Sequence, residues 1–396
     1  MQKFSSMYWR IYIVLTLLLS FLLMCYAFYF HPPQIKKKNW YYIWLILLSI
    51  IIISIIILIF TKVNSGFSTI IGTFFIYIII FSLFYAIIHL VGWFFKKENR
   101  LKIQKFAFSF AFIILIIVVI GNLFYSNRVV LKNYDLYYDN LPESFNGYTI
   151  AQISDIHLGS FINDHKLKRA TEKINKLQPD IIIFTGDIVN SSMREIKPEY
   201  IKQLKNMNAP IKLAILGNHD YHDFHKFSHY WGNRPLEPKI ALSDSITMIL
   251  EQCGFTVLRD SIYYVQKNIE SIAFVGLNNY GKPPFSVFGN IHNVLNEVPK
   301  NLFSIILVHD PFYWSEGLFD EFPLTLSGHT HGGQFGFFIN KKLRLSPASI
   351  NGKTGGLYTN ENNNNNLIIN TGLGHVIANF HFGFSSQIAV IKLLKK

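Results

Sequence analysis

The chain has 396 residues, is 50% hydrophobic and has a mean hydropathy of +0.26, which excludes an ordinary soluble globular protein. Its formal net charge of +13 invites a nucleic-acid partner, but much of that excess sits in two short basic clusters that membrane topology explains. Two cysteines, Cys25 and Cys253, exclude a disulfide framework.

The apolar excess lies almost wholly before Tyr125, in blocks of about 20 residues, the length that crosses a hydrocarbon core about 30 Å thick. The predicted spans are Ile11 to Phe30, Trp40 to Phe60, Phe67 to Phe95 and Phe106 to Tyr125. Runs such as Ile50 to Phe60 carry no polar face, which argues against a buried core bundle. Lys3 and Arg10 precede the first block in the manner of a signal peptide, yet no small-residue cleavage site comes before His31-Pro32-Pro33, so the first helix reads as uncleaved. Lys36 to Lys38 in the first loop, and Lys96, Lys97, Arg100, Lys102 and Lys105 in the third, outweigh Lys3, Arg10, Lys62, Arg128 and Lys132. Cation-rich loops stay cytoplasmic, so both termini and the large C-terminal part are expected outside. The expected division is a membrane domain over residues 1–126 and a second domain over 127–396.

After Asn127 short β-branched runs alternate with amphipathic helical segments, the pattern of an α/β layer fold. Thr149 to Ser154 reads as a strand ending at Asp155, and Asp164 to Leu177 as a helix capped by Asp164. Ile181 to Phe184 is a strand leading to Thr185-Gly186-Asp187, Pro198 to Met207 a helix, and Ile211 to Leu216 a strand entering Gly217-Asn218-His219-Asp220. Tyr221 to Ser243, rich in aromatics, Pro and His, has no clean period and reads as an insertion or lid, in which His222, His225 and His229 are more readily loop residues than ligands. Ser304 to Val308 leads into His309, Leu324 to Ser327 into Gly328, and the Asn362 to Asn366 run reads as a surface hairpin tip. Every polar cluster thus follows a buried strand, and if the strands share a sheet, five runs converge on one edge.

At those ends stand Asp155 and His157, Asp187, Asn218 with His219, His309, and His329 with His331. Carboxylates, an amide oxygen and imidazoles without cysteine suit divalent ions such as Mn, Fe, Zn or Mg. Asp-x-His or Gly-Asn-His-Asp alone is weak; His329-Thr330-His331 in its glycine frame is stronger, because residues two apart on an extended stretch face the same side.

Asp155-Ile156-His157, Gly186-Asp187, Gly217-Asn218-His219-Asp220, His309 and Gly328-His329-Thr330-His331 resemble, in order and rough spacing, the motifs of the calcineurin-like metallophosphoesterases. The longer strings Gln152 to Gly159 and Ser327 to Gln334 look like the family's bacterial membrane-anchored branch. The resemblance covers about Tyr134 to Leu394 and implies a four-layer α/β fold, a β-sandwich flanked by helices, here behind a bundle of four transmembrane helices. It implies that Asp155, His157 and His331 bind a first metal and Asn218, His309 and His329 a second, with Asp187 bridging. It also implies that His219 faces the phosphate; a departing alkoxide needs a proton, which His219 is placed to give, with Asp155 or Asp220 as the expected orienting partner. The long aromatic Tyr221 to Ser243 segment departs from the branch, as does Phe382 to Gln387, which lacks the usual Pro-Glu.

Two ions about 3.5–4 Å apart lower the pKa of water between them to about 7 and clamp phosphate oxygens. The expected enzyme is a membrane-anchored phosphoesterase, acting on phosphomonoester, phosphodiester or pyrophosphate bonds of lipid or cell-envelope polymer substrates. A cytoplasmic site would instead suit hydrolysis of a UDP-diacylglucosamine-type pyrophosphate. A non-catalytic membrane module and a nuclease are the remaining classes. The complete ligand set weighs against the module, and membrane anchorage with loop-borne charge weighs against nucleic acid.

Overall fold

A computed structural model describes residues 65–92, 94–126, 128–221, 236–281, 287–334, 337–338, 344–345, 353–360, 365–376, 379 and 385–396. The first two predicted spans, Cys25, His222, His225 and His229 lie outside them. The chain divides into two units, Met1–Phe124 with Ile377–Phe380, and Tyr125–Val376 with His381–Lys396.

In the first unit, α1 (Ser65–Gly92) takes in the third predicted span as far as Gly92, and α2 (Lys97–Ser126) takes in the fourth. Ala107 and Ala111, one turn apart on α2, are fully buried and let Phe81, Phe84 and Ile88 of α1 approach closely. Phe106, Ile113, Ile117, Ile120 and Leu123 instead project outward. Asn122, buried near the end of α2, is satisfied by donating to the Tyr77 hydroxyl at 2.7 Å. Among the described residues one helical stretch, Lys105–Phe124, is long and apolar enough by length and composition to cross a membrane.

The second unit runs β1 (Val129–Tyr138), β2 (Thr149–Ile153), α3 (His165–Leu177), β3 (Ile181–Thr185), α4 (Pro198–Lys205), β4 (Ile211–Ile215), α5 (Leu236–Gln252) and β5 (Thr256–Val257). It continues with β6 (Ser261–Lys267), β7 (Glu270–Gly276), α6 (Ile291–Glu297), β8 (Ser304–Leu307), α7 (Phe312–Ser315) and β9 (Leu324–Ser327). The short β10 (Phe337–Phe338) and β11 (Arg344–Leu345), then β12 (Gly356–Asn360), β13 (Asn365–Ile369) and β14 (Ser386–Lys395), complete it. One six-stranded sheet has the order β1-β14-β2-β3-β4-β5 and the other β12-β13-β9-β8-β7-β6. Strands β2 to β5 run parallel in the first, as do β7, β8, β9 and β13 in the second. Parallel strands need both faces covered, which is why β3, Ile-Ile-Ile-Phe-Thr, is buried throughout.

The covering makes four layers. Ile150, Ile181, Ile183 and Leu213 of the first sheet meet Ile272, Phe274, Ile305 and Leu326 of the second. Behind the first sheet, Ile153, Ile182 and Phe184 pack on α3, α4 and α5 through Leu167, Ile174, Tyr200, Leu204 and Ile246. Behind the second, Val275, Ile306 and Ile369 pack on Ile291, Val294 and Trp314 of α6 and α7. The predicted strands appear within one residue of their expected ends.

Three local expectations need correction. Asp164 stands at the start of α3 without capping it; its carboxylate accepts from Gln203 Nε2 at 2.9 Å, an interhelical bond that outcompetes the local one. The aromatic stretch after Tyr221 is not all insertion, since α5 begins at Leu236 and buries Ser243. The asparagine run is not all surface: Asn365 and Asn366 lie in β13, where their side-chain amides donate to the Phe319 carbonyl and the Tyr138 hydroxyl at 3.2 and 3.1 Å. A buried amide is tolerated there because both partners are fixed by the sandwich.

Phe274, fully buried between the sheets, sets the first prediction. Phe274→Ala should cost about 3–5 kcal/mol, read as a lower denaturation midpoint of the detergent-solubilised chain.

Candidate metal centre

The predicted residues come from two sheets rather than one edge. Asp155, His157, Asp187, Asn218 and His219 follow β2, β3 and β4 of the first sheet, while His309, His329 and His331 follow β8 and β9 of the second. Twisted sheets stacked face to face bring their strand ends to one rim, and side-chain bonds stitch that rim together. Gln152 Nε2 donates to the Ser327 carbonyl at 2.9 Å, and Asn370 Nδ2 to the Gln152 carbonyl at 2.8 Å. The His329 N–H donates to both Asp155 oxygens at 3.1 Å.

The loops turn sharply, and their backbone shows it. Asp155, His157, Asp187, His329 and His331 all have positive φ, between 44° and 71°. For residues with a Cβ this conformation costs of order 1 kcal/mol each, and such strain gathers where side chains must be aimed. Two glycines make room. A Cβ on Gly217 would lie 2.1 Å from Asp187 Oδ1, and one on Gly328 1.9 Å from Ser154 Oγ. The clearance at Gly328 therefore admits protein side chains.

Three sets of side chains converge, with ligand atoms in each set within 4.8 Å of one another: Asp155, His157 and His331; His157, Asp187 and His219; Asp187, His309 and His329. Asp187 belongs to two sets, its Oδ2 lying 3.6 Å from His157 Nε2 and 3.0 Å from His309 Nε2. Asn218 joins the third, its Oδ1 3.0 Å from His329 Nδ1.

Main-chain carbonyls aim the imidazoles. His157 Nδ1 lies 3.1 Å from the Val189 oxygen, and His309 Nδ1 2.7 Å from that of Thr185. A ring whose Nδ1–H donates to a carbonyl turns its Nε2 inward, toward the shared centre. His157 and His331 bring their Nε2 atoms within 3.0 Å of each other, a pairing of two potential ligand atoms on one point. Burial pushes the His157 imidazole down to about 3 and holds His331 well below the usual range, so both are neutral and ligand-ready. Burial pushes Asp155 up to about 7, with the Asp187 charge adding to it. Burial would also raise Asp187, but the surrounding imidazoles, His309 foremost, hold it well below the carboxylate range. His309 responds in kind: burial opposes its charge, yet Asp187 pushes it up to about 10. A buried carboxylate that gathers positive charge, among inward-facing neutral imidazoles, fits divalent cations.

The orienting partner of His219 differs from expectation. Its Nδ1 lies 2.7 Å from the Asn190 carbonyl oxygen, with neither Asp155 nor Asp220 in that role. Asp220 is already engaged. Its Oδ2 accepts from the N–H groups of Asp187 and Gly217, each at 2.9 Å, and its Oδ1 from those of Ile188 and Val189 at 2.9 and 3.4 Å. It thus shapes the Asp187 turn. Asn190 left no sequence signal because it acts through its main chain. The segment Gly372 to Gly374 was also missed; its Gly374 N–H donates to the Asp155 carbonyl at 2.7 Å, bracing that loop.

The calcineurin-like phosphoesterase family model matches residues 148–333, which hold every one of the predicted site residues. The metallophosphoesterase YkuE of Bacillus subtilis is 30% identical over 258 residues, 64% of this chain and 81% of the relative. The chain belongs to the calcineurin-like phosphoesterase family. It is a metallophosphoesterase, a hydrolase that uses divalent metal. The UDP-2,3-diacylglucosamine pyrophosphatase LpxG of Chlamydia trachomatis is 28% identical over 281 residues, 59% of this chain and 81% of the relative. A transmembrane protein with metallophosphoesterase domain from Danio rerio is 26% identical over 206 residues, 50% of this chain and 43% of the relative.

Asp220→Ala should leave four buried N–H groups without their acceptor. The expected loss is about 3 kcal/mol or more, seen as a lower melting temperature together with reduced metal content after dialysis.

Proposed function

We propose that this phosphoesterase is membrane-anchored and holds two divalent ions, Mn, Fe, Zn or Mg, with which it hydrolyses phosphate ester or anhydride bonds of lipid or envelope-linked substrates. Asp155, His157 and His331 would hold one ion and Asn218, His309 and His329 the other, with Asp187 available to both sets. The observation that carries this reading is the position of one buried carboxylate, Asp187, between two separate groups of histidines. Ions bound there lower the pKa of water and neutralise phosphoryl charge.

The chain's own residues supply the rest. The negative charge of Asp187 would offset the mutual repulsion of two cations held by the sets it joins. His219, oriented by Asn190 and standing edge-on to His157 at a 4.8 Å ring separation, turns its Nε2 toward the same centre. As the bond from phosphorus to the leaving oxygen breaks, the Nε2 proton of His219 passes to that oxygen, and solvent restores it.

Anchorage rests on the four apolar blocks, on the Lys105–Phe124 helix and on the transmembrane relative. The loop cations favour an extracytoplasmic site, where lipid and polymer phosphates lie within reach. A second reading, hydrolysis of a UDP-diacylglucosamine-type pyrophosphate, draws on the LpxG relative and needs a cytoplasmic site. A reporter fused after Lys396 separates the two by the side on which it is active.

Asp187→Ala should reduce metal-dependent turnover of a p-nitrophenyl phosphate ester to background, whereas His219→Ala should lower turnover of an alkyl ester by about 10²–10⁴ with the metal content kept. Folded wild-type protein that carries no metal after growth in Mn-supplemented medium would overturn the proposal.

A further inference from the structure

A cleft of about 380 Å³, open to solvent, is lined by Trp314, Ser315, Asp320, Lys353, Tyr358 and Asn360. That volume falls within the range of about 300–1,000 Å³ that holds small molecules. Both walls are tied to the loops that present the candidate metal ligands. On one side α7, which carries Trp314 and Ser315, follows His309 after Asp310 and Pro311. Asp310 Oδ1 accepts the Phe312 N–H at 2.9 Å, and its Oδ2 lies 3.8 Å from His329 Nε2. On the other side the hydroxyl of Thr330, the residue between His329 and His331, donates to the Thr354 carbonyl at 2.6 Å. The Thr354 N–H in turn donates to the Tyr358 hydroxyl at 2.9 Å, and Lys353 is the preceding residue. One hydrogen-bonded frame therefore supports the cleft and the metal-centre loops.

The polar groups of the cleft narrow what it can hold. Lys353 Nζ lies 5.0 Å from the centroid of the Trp314 ring and 5.9 Å from that of Tyr358, and it donates to Ser315 Oγ at 3.1 Å. The aromatic faces are thus already occupied by a cation, and a ligand cation there would meet like charge. Asp320 Oδ1 accepts from the side-chain amides of Asn360 and Asn365 at 3.5 and 3.4 Å, whereas no described residue donates to its Oδ2. Lys353 and Asp320 form no ion pair with any described residue. A cleft that offers a carboxylate acceptor, an ammonium donor and an amide beside aromatic rings suits a neutral ligand rich in hydroxyls, which both donate and accept. The rings cover the C–H surface of such a ligand. A strongly charged group of either sign would be repelled by one member of the pair.

We propose that this cleft is a subsite for a sugar ring or similar polyol, the hydroxyl-bearing group attached to the phosphate that is cleaved at the metal centre. Asp320 accepts from the ligand's hydroxyls, and Lys353 and Asn360 donate to them. The proposal rests on the reading of the Asp187 cluster as that metal centre.

Saturation-transfer NMR on the full detergent-solubilised chain, with methyl α-glucopyranoside and choline as probes, tests it without any turnover. The glycoside should bind saturably with a dissociation constant on the order of millimolar, as expected for one ring held by a few polar groups. Choline should give no saturable signal. Asp320→Asn, which keeps shape but removes charge, should weaken glycoside binding about 10-fold, and Lys353→Met should do the same. Wild-type metal content reports that each variant is folded, and if Asp320→Asn fails to fold, Lys353→Met is read alone. Replacing Mg by paramagnetic Mn should broaden the signals of the bound glycoside, because the cleft adjoins the centre. Absence of glycoside binding by folded wild type, binding unchanged in the folded variants, or binding of choline in its place would overturn the proposal. Protein that carries Mn yet leaves the bound glycoside unbroadened would overturn the subsite role while sparing the metal centre. Glycoside binding by folded protein that takes up no metal would overturn the metal reading, and the subsite role with it.

Discussion

A buried carboxylate shared by two groups of imidazoles is the constraint around which the second unit is arranged. Asp187 is 1% exposed, and a charge so placed is costly unless other charges or dipoles surround it. The surroundings come from both sheets: His157 and the His219 N–H from one, His309 from the other. Neither sheet alone provides them. The chemistry therefore depends on the sandwich, and the rim bonds from Gln152, Asn370 and His329 hold the two sheets in the register it needs.

That demand explains where the molecule accepts strain. Left-handed conformations at Asp155, His157, Asp187, His329 and His331 are unfavourable for residues with side chains, yet they aim the side chains inward directly after buried strands. The opposing stabilisation is local and dense. Asp220 binds four main-chain N–H groups of the neighbouring turns, and Glu195 binds those of Asn190, Ser191 and Gly159. Two buried acids that are not among the predicted ligands thus shape the loops that present them. The rigid scaffold and the charged centre are parts of one design, because low dielectric strengthens each of these bonds.

Across the chain, a phosphoesterase unit follows a strongly apolar N-terminal region whose described helices pack through small residues and expose large ones.

Much of the architecture was legible in the chain itself. Buried strands show as short β-branched runs, and polar clusters at their ends mark the rim, since periodicity and residue chemistry are local properties. The eight candidate site residues and the α/β layering were read in this way, with the family resemblance dividing the candidates into two groups. Tertiary structure alone decided that the strand ends belong to two sheets, because pairing between distant strands leaves no local pattern. It alone decided that Asp220 serves the backbone, that Asp164 reaches Gln203 in place of its own helix, and that His219 takes its partner from the Asn190 carbonyl. Each of these is a choice among competing hydrogen-bond partners, and only the folded chain brings all the competitors within reach.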